Sequence, residues 1–144
     1  MSTIVVILVA IAGGVAIVLQ GQATAVMDQR AGTTVSVFAT YAIGGLVITL
    51  VMLALRGARL SDLRGAPWWV YLAGLFGLVI VGSIAYSASR IGLVQTFTVL
   101  VVTQFVLSGA IDHFGLLGAE ARPLTIERLA GIALLLTGTW LVLR

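Results

Sequence analysis

Residues 3–20 read TIVVILVAIAGGVAIVLQ, a continuous apolar run without a charged side chain. Four further runs of similar character follow at 34–55, 67–89, 92–111 and 125–143. The hydrocarbon core of a bilayer is about 30 Å thick, and a helix needs roughly 20 apolar residues to cross it. The pattern therefore predicts an all-α membrane protein with five transmembrane helices. We expect residues 1–144 to form a single transmembrane domain, a multi-pass protein of the inner (plasma) membrane.

The composition excludes the main alternatives to a helical membrane protein. Hydrophobic residues make up 60% of the chain and charged residues only 9%. A soluble domain of this size must present a largely polar surface to water, which this composition does not allow. Outer-membrane strands alternate apolar and polar residues over about ten positions, whereas these runs are continuous over about twice that length.

No arrangement of residues typical of an enzyme active site is visible in the sequence. The chain has no Cys and one His, and the spacings typical of metal ligands and phosphate loops do not occur. We therefore predict no enzyme activity, no cofactor and no metal site. The net charge of +3 comes from Arg residues in connectors and at helix ends, so it predicts contact with lipid headgroups rather than with nucleic acid.

Polar side chains inside the apolar runs mark a candidate solute site. Gln104, Ser108 and Asp112 recur every four residues and share one face of the fourth helix. Tyr86 belongs to a polar stripe on the third helix, and Gln20 lies at the end of the first run. Polar groups in membrane helices usually face the bundle interior or a water-filled cavity. We expect the solute-binding residues to be Gln20, Tyr86, Gln104 and Ser108.

The pair Asp112-His113 follows the fourth apolar run and has two interpretations. A proton-coupled carrier needs a titratable group, and His is the side chain that titrates near neutral pH. Alternatively, His113 favours the negative end of the helix dipole and the pair anchors a connector. The sequence leaves both open.

Small residues predict helix packing. Gly74 and Gly77 on the third helix, and Gly131 and Gly138 on the fifth, create faces where helices can approach closely. Because the fifth helix has little internal polarity, its natural use is packing between two copies of the chain.

The distribution of Arg leaves the orientation of the chain open. If the spans alternate, the side that holds the N-terminus has five Arg and the opposite side has three: Arg56, Arg59, Arg64, Arg122 and Arg128 against Arg30, Arg90 and Arg144. Orientation follows the excess of Lys and Arg in short loops, so the bias toward a cytoplasmic N-terminus is mild. Either the orientation is fixed, or the chain inserts both ways and pairs head-to-tail as in inverted-repeat transporters.

Several motifs carry a family resemblance over nearly the whole chain. Trp68-Trp69 precedes the Gly74/Gly77 helix, Thr103-Gln104 follows in the fourth run, and residues 111–118 read IDHFGLLG. These motifs resemble the YdcZ-like family of small bacterial inner-membrane proteins, which is grouped with the drug/metabolite transporter superfamily. The resemblance implies a five-helix half-transporter that pairs, often antiparallel, into a ten-helix, inverted-repeat-like dimer. It supplies no defined substrate.

The first third of the chain matches that family less closely. Gln20 corresponds to the Gln that ends the family's first helix, but Thr24 stands where many members have Asn. Thr40-Tyr41 likewise replaces a Ser-Phe pair. A role of that Asn therefore does not carry over to this chain.

The leading hypothesis is a homodimeric membrane transporter of the drug/metabolite type that moves a small organic solute by alternating access. The alternative is a non-transporting accessory protein that packs against another membrane complex. Polar stripes on three helices favour transport, because a purely structural bundle has little use for Gln20 and Gln104.

Overall fold

A computed structural model describes residues 3–55 and 63–144, and in these ranges the chain is all-helical. Five α-helices are long and apolar enough to cross a membrane. They are α1 (Thr3–Ala31), α2 (Thr33–Ala54), α3 (Ala73–Ile91), α4 (Leu93–Phe114) and α5 (Ile126–Leu143). A 3₁₀ turn over Trp68–Leu72 leads into α3, and a second over Leu116–Gly118 follows α4. Most of the predicted connector after α2, including Arg56 and Arg59, lies outside the described residues.

The chain divides into two compact units, Met1–Arg90 and Ile91–Arg144. The first unit holds α1, α2 and α3, and the second holds α4 and α5. The prediction that the whole chain behaves as one transmembrane domain stays a prediction.

Helix α1 continues eleven residues beyond the predicted end of the first span at Gln20, while the other helices lie close to their predicted runs. Residues 21–31 contain no Pro, and the first residue outside the helix is Gly32, which has a positive φ of 83°. With 29 residues at 1.5 Å each, α1 is about 43 Å long. That length covers the hydrocarbon core and part of the headgroup region.

Two pairs of consecutive helices are joined by a single glycine. Gly32 joins α1 to α2 with φ 83° and ψ 163°, and Gly92 joins α3 to α4 with φ 84° and ψ 164°. Because these backbone angles are open to Gly and strained for other residues, each connection requires a Gly at this point. The backbone N–H groups of Ser36 and Thr96 donate to the carbonyls of Gly32 and Gly92, respectively.

The pattern of burial around these two connections repeats at a spacing of sixty residues. Arg30-Ala31-Gly32 corresponds to Arg90-Ile91-Gly92. All buried residues of the α1–α2 segment have buried counterparts around the α3–α4 connection: Gly21/Val81, Thr24/Ile84, Ala25/Ala85, Asp28/Ala88 and Ser36/Thr96. The two segments are therefore local repeats of one helix–glycine–helix unit. Asp28 is a polar residue of the first segment whose counterpart in the second, Ala88, is apolar.

Within the first unit, helices are held together by small residues and hydroxyl groups. The fully buried Ser36 of α2 donates from Oγ to the carbonyl of Thr24 in α1 at 2.9 Å. The hydroxyl of Tyr41 in α2 occupies the space where a Cβ at Gly77 in α3 would lie. Gly77 therefore leaves room for the end of the Tyr41 side chain against α3.

Within the second unit, α4 and α5 run antiparallel, and the connector between them is fastened to the end of α4. Gly115 caps α4 in the left-handed conformation with φ 62°. The backbone N–H of Arg122 then donates to the carbonyl of Asp112 at 2.7 Å. Helix α5 begins at Ile126, and its N-cap residue Thr125 accepts from the N–H of Arg128 through Oγ1.

Candidate functional site

Of the predicted solute-binding residues, Gln20 and Tyr86 lie in the first unit. Gln20 lies in the interior of α1, not at its end, and is exposed on the isolated chain. Tyr86 is also exposed, and the guanidinium of Arg90 stacks 3.6 Å from the centre of its ring. One face of the Tyr86 ring is therefore occupied by a cation, an arrangement that strengthens in a medium poorer in water.

A polar cluster around Asp28 is the most densely hydrogen-bonded group in the described residues of the first unit. The Asp28 side chain is only 4% exposed, near the C-terminal end of α1. Its Oδ2 accepts from Ser89 Oγ at 2.6 Å and from Arg90 Nη1 at 3.1 Å, and its Oδ1 accepts from Thr33 Oγ1. The buried carboxylate is thus both paired with a cation and hydrogen-bonded, which offsets the cost of removing it from water.

Sequence reasoning did not predict that Arg90 pairs with Asp28. Asp28 lies after the predicted end of the first span at Gln20, and no site role was predicted for it. The repeat of Arg30-x-Gly32 as Arg90-x-Gly92 was the available signal. This repeat indicates that the residues just before Gly32 and Gly92 belong to helices. It also shows that the first segment has Asp28 where the second has Ala88.

The second unit contains a cavity of about 490 Å³ between α4 and α5. Two predicted residues of the α4 stripe, Ser108 and Asp112, line it together. Arg128 of α5, which was not predicted as a site residue, lines the same cavity. The remaining walls are apolar or glycine: Phe105, Gly109, Leu124, Gly131, Ile132 and Leu135. Ligand sites commonly combine apolar walls of this kind with a few placed polar groups.

A larger apolar groove of about 630 Å³ follows α4 and α5 toward the opposite ends of these helices. Its hydroxyl groups are used internally, because Thr98 and Thr139 each donate to the carbonyl four residues earlier. Gln104, the third predicted member of the α4 stripe, is exposed and does not line either groove.

The glycines that were predicted to pack helices differ in their surroundings. Gly77 is in close contact with Tyr41. A Cβ added at Gly74, Gly131 or Gly138 would have no described heavy atom within 4 Å. Among the described residues these three positions are therefore open, which leaves room for a second chain to pack against them.

His113 is exposed, and its Nδ1 accepts the backbone N–H of Leu124 at 3.2 Å. A backbone N–H can only donate, so Nδ1 carries no proton in this arrangement. This contact favours the anchor interpretation of His113 and leaves a coupling role as a prediction. Among the described residues, no three His, Asp or Glu side chains lie together as a metal site requires.

Comparisons with known proteins agree with this architecture. Residues 5–141 match the family described as "Putative inner membrane exporter, YdcZ". The chain is 27% identical over 140 residues to the inner membrane protein YdcZ of Escherichia coli (strain K12), covering 93% of this chain and 91% of that protein. No solved structure matches. The relative and the five apolar helices together assign this chain to the inner membrane as a multi-pass protein.

Proposed function

Because the chain belongs to the YdcZ family, whose description is that of an inner-membrane exporter, we propose that it exports a small organic solute by alternating access as a homodimer. The family is described by transport and not by catalysis, in agreement with a sequence in which no arrangement typical of an enzyme active site is visible.

The observation that supports solute transport best is the cavity between α4 and α5. Its volume of about 490 Å³ lies in the range of small-molecule sites. Ser108, Asp112 and Arg128 supply polar groups to walls that are otherwise apolar.

The predicted contacts Gln20, Tyr86 and Gln104 belong to the same proposal. All three are exposed on the isolated chain, and an amide in a membrane helix needs hydrogen-bonding partners inside the protein. In the assembled transporter, each of these side chains would face a solvated space inside the protein.

The homodimer is supported by Gly74, Gly131 and Gly138, which have open space around them among the described residues. Gly131 and Gly138 lie seven residues apart on α5, close to two helical turns, so they share one face. A second copy could approach this face closely because no side chain covers either glycine. The mild Arg bias and the odd number of spans favour antiparallel pairing.

The proposed function is tested by reconstituting the purified chain in liposomes and measuring efflux of a panel of organic solutes, with and without a pH gradient. We expect at least one solute to leave protein-containing vesicles faster than empty ones. If no panel member is transported while the protein is folded and dimeric, the accessory-protein alternative gains support.

Two variants separate the solute path from assembly. Gln104→Leu removes the amide at similar bulk, so it should weaken transport by roughly tenfold or more while leaving the dimer intact. Gly138→Leu, on the open face of α5 and outside the solute cavity, should weaken dimer formation by blocking close approach. Normal transport by Gln104→Leu would show that this amide does not contribute to the solute path and serves in packing instead.

Antiparallel pairing has its own test. Adding Arg residues to one side should force a single orientation and lower activity, and co-expression of an oppositely biased copy should restore it. Full activity from one strongly biased copy alone would contradict antiparallel pairing.

A further inference from the structure

Asp112 and Arg128 are the charged residues that line the cavity between α4 and α5. Asp112 lies in the last turn of α4, which ends at Phe114, and Arg128 lies in the first turn of α5, which begins at Ile126. Asp112 and Arg128 therefore line the same cavity from two different helices.

Each of these charges opposes the dipole of its own helix. The C-terminal end of a helix carries partial negative charge and favours cations, and the N-terminal end favours anions. Asp112 and Arg128 are placed the opposite way at both ends. Their immediate neighbours His113 and Glu127 follow the rule, and neither of them lines the cavity.

Neither charge is neutralised by an ion pair in residues 3–55 and 63–144. The described ion pairs join Arg90 to Asp28 and Arg122 to Glu120. Asp112 and Arg128 do not approach each other within the 4.0 Å of an ion pair, although they share a cavity. Local rules broken without a compensating contact are typical of functional sites.

From this arrangement we infer that the cavity between α4 and α5 binds an amphoteric solute, one that carries both a protonated amine and a carboxylate on an apolar body. The amine binds Asp112, and the carboxylate binds the guanidinium of Arg128, which can form two parallel hydrogen bonds. The apolar body packs against Phe105 and Leu135. This inference rests on the proposed function for its biological use, but binding itself is measured independently of transport.

Ligand chemistry is tested by matched compounds. The probes are leucine with isoamylamine and isocaproate, and aminocaproate with hexylamine and hexanoate, so that amine and carboxylate are close together in one set and far apart in the other. Equilibrium binding is measured on the full-length protein in lipid nanodiscs. We expect at least one amphoteric compound to bind roughly tenfold or more tightly than its amine-only and acid-only analogues.

Two variants and one control test whether Asp112 binds the amine of the solute and Arg128 its carboxylate. Asp112→Asn should lower the affinity for the amphoteric compound to that of its acid-only analogue. Arg128→Gln should lower it to that of the amine-only analogue. Arg122→Gln is the control: it removes a positive charge from the connector between α4 and α5, outside the cavity, so binding should be unchanged.

The outcomes distinguish this inference from the proposed function. Wild-type protein that binds neither amphoteric compound better than its analogues overturns the inference, and this result needs no variant to fold. Unchanged affinity in both Asp112→Asn and Arg128→Gln also overturns it. Binding without efflux of any solute would contradict transport alone, and efflux restricted to solutes of single charge would contradict the amphoteric site alone.

Discussion

Arg90 of α3 donates from Nη1 to Oδ2 of Asp28 in α1 over 3.1 Å, and so joins the C-terminal ends of two membrane helices. The same Nη1 donates to the carbonyl of Tyr86 at 2.7 Å and to Ser89 Oγ at 2.9 Å. The Arg90 side chain is 48% exposed while that of Asp28 is 4% exposed, so the cation closes the cluster from outside. This network links the C-terminal end of α1 to that of α3 within the first unit.

The network predicts coupled effects of Asp28 and Arg90 on stability. Asp28→Ala should lower the thermal unfolding temperature in detergent, because Arg90, Ser89 and Thr33 lose one common acceptor. Arg90→Ala should lower it as well, and the double variant should be less destabilised than the sum of the two.

Arg30 is the matched control for this experiment. It occupies the position equivalent to Arg90 in the first repeat, is exposed, and makes no ion pair in the described part of the chain. Arg30→Ala should leave the unfolding temperature unchanged. Strict additivity of Asp28→Ala and Arg90→Ala would mean that their contact contributes nothing.

The sixty-residue repeat predicts opposite effects at the equivalent positions Ser36 and Thr96. Ser36 donates to Thr24, so Ser36→Ala should lower the free energy of unfolding by about 0.5–1 kcal/mol. The buried Oγ1 of Thr96 has no hydrogen-bond partner in the described residues. Thr96→Val keeps the shape and removes this unsatisfied hydroxyl, so stability should stay equal or rise.

Chemical unfolding in mixed micelles measures both values. A loss of stability in Thr96→Val similar to that in Ser36→Ala would show that the Thr96 hydroxyl has a partner in the assembled protein.

The helices were predictable from the sequence because the membrane imposes a minimum apolar length on each span. The end of α1 was not predictable in this way, because the apolar run stops at Gln20. The helix continues to Ala31 because no helix-breaking residue occurs before Gly32. Periodicity placed Ser108 and Asp112 on one face, and they do line one cavity. Arg128 was missed because its proximity to them arises from tertiary packing, which no local pattern encodes.

The contact between Gly77 and Tyr41 predicts a rescue experiment. In Gly77→Ala, the new Cβ would collide with the Tyr41 hydroxyl and force the end of this side chain to move, so we expect a loss of about 1 kcal/mol in unfolding free energy. Tyr41→Phe removes the colliding oxygen, and the nearest ring carbon is 3.4 Å from the Cβ position. The double variant should therefore recover most of the loss.

Gly74→Ala is the control for this pair, because a Cβ at Gly74 has open space around it. Equal effects of the two Gly→Ala substitutions on the monomer would indicate a general change in helix propensity rather than a collision. A double variant as unstable as Gly77→Ala would place the obstruction elsewhere than the hydroxyl.

Because His113 accepts a hydrogen bond, we predict that another side chain with an acceptor atom in a similar place can replace it. The Nδ1 atom holds the backbone N–H of Leu124, a residue that lines the α4–α5 cavity. In His113→Asn, Oδ1 can accept the same N–H, so the connector should keep its position. In His113→Leu the acceptor is lost, and opening of the connector should become easier by about 1 kcal/mol. Hydrogen exchange at the Leu124 amide measures this difference, with faster exchange expected in His113→Leu than in His113→Asn. If both variants exchange at the wild-type rate, the Leu124 amide is protected by another acceptor. If instead both exchange equally fast, the imidazole acts through its ring and not through Nδ1 alone.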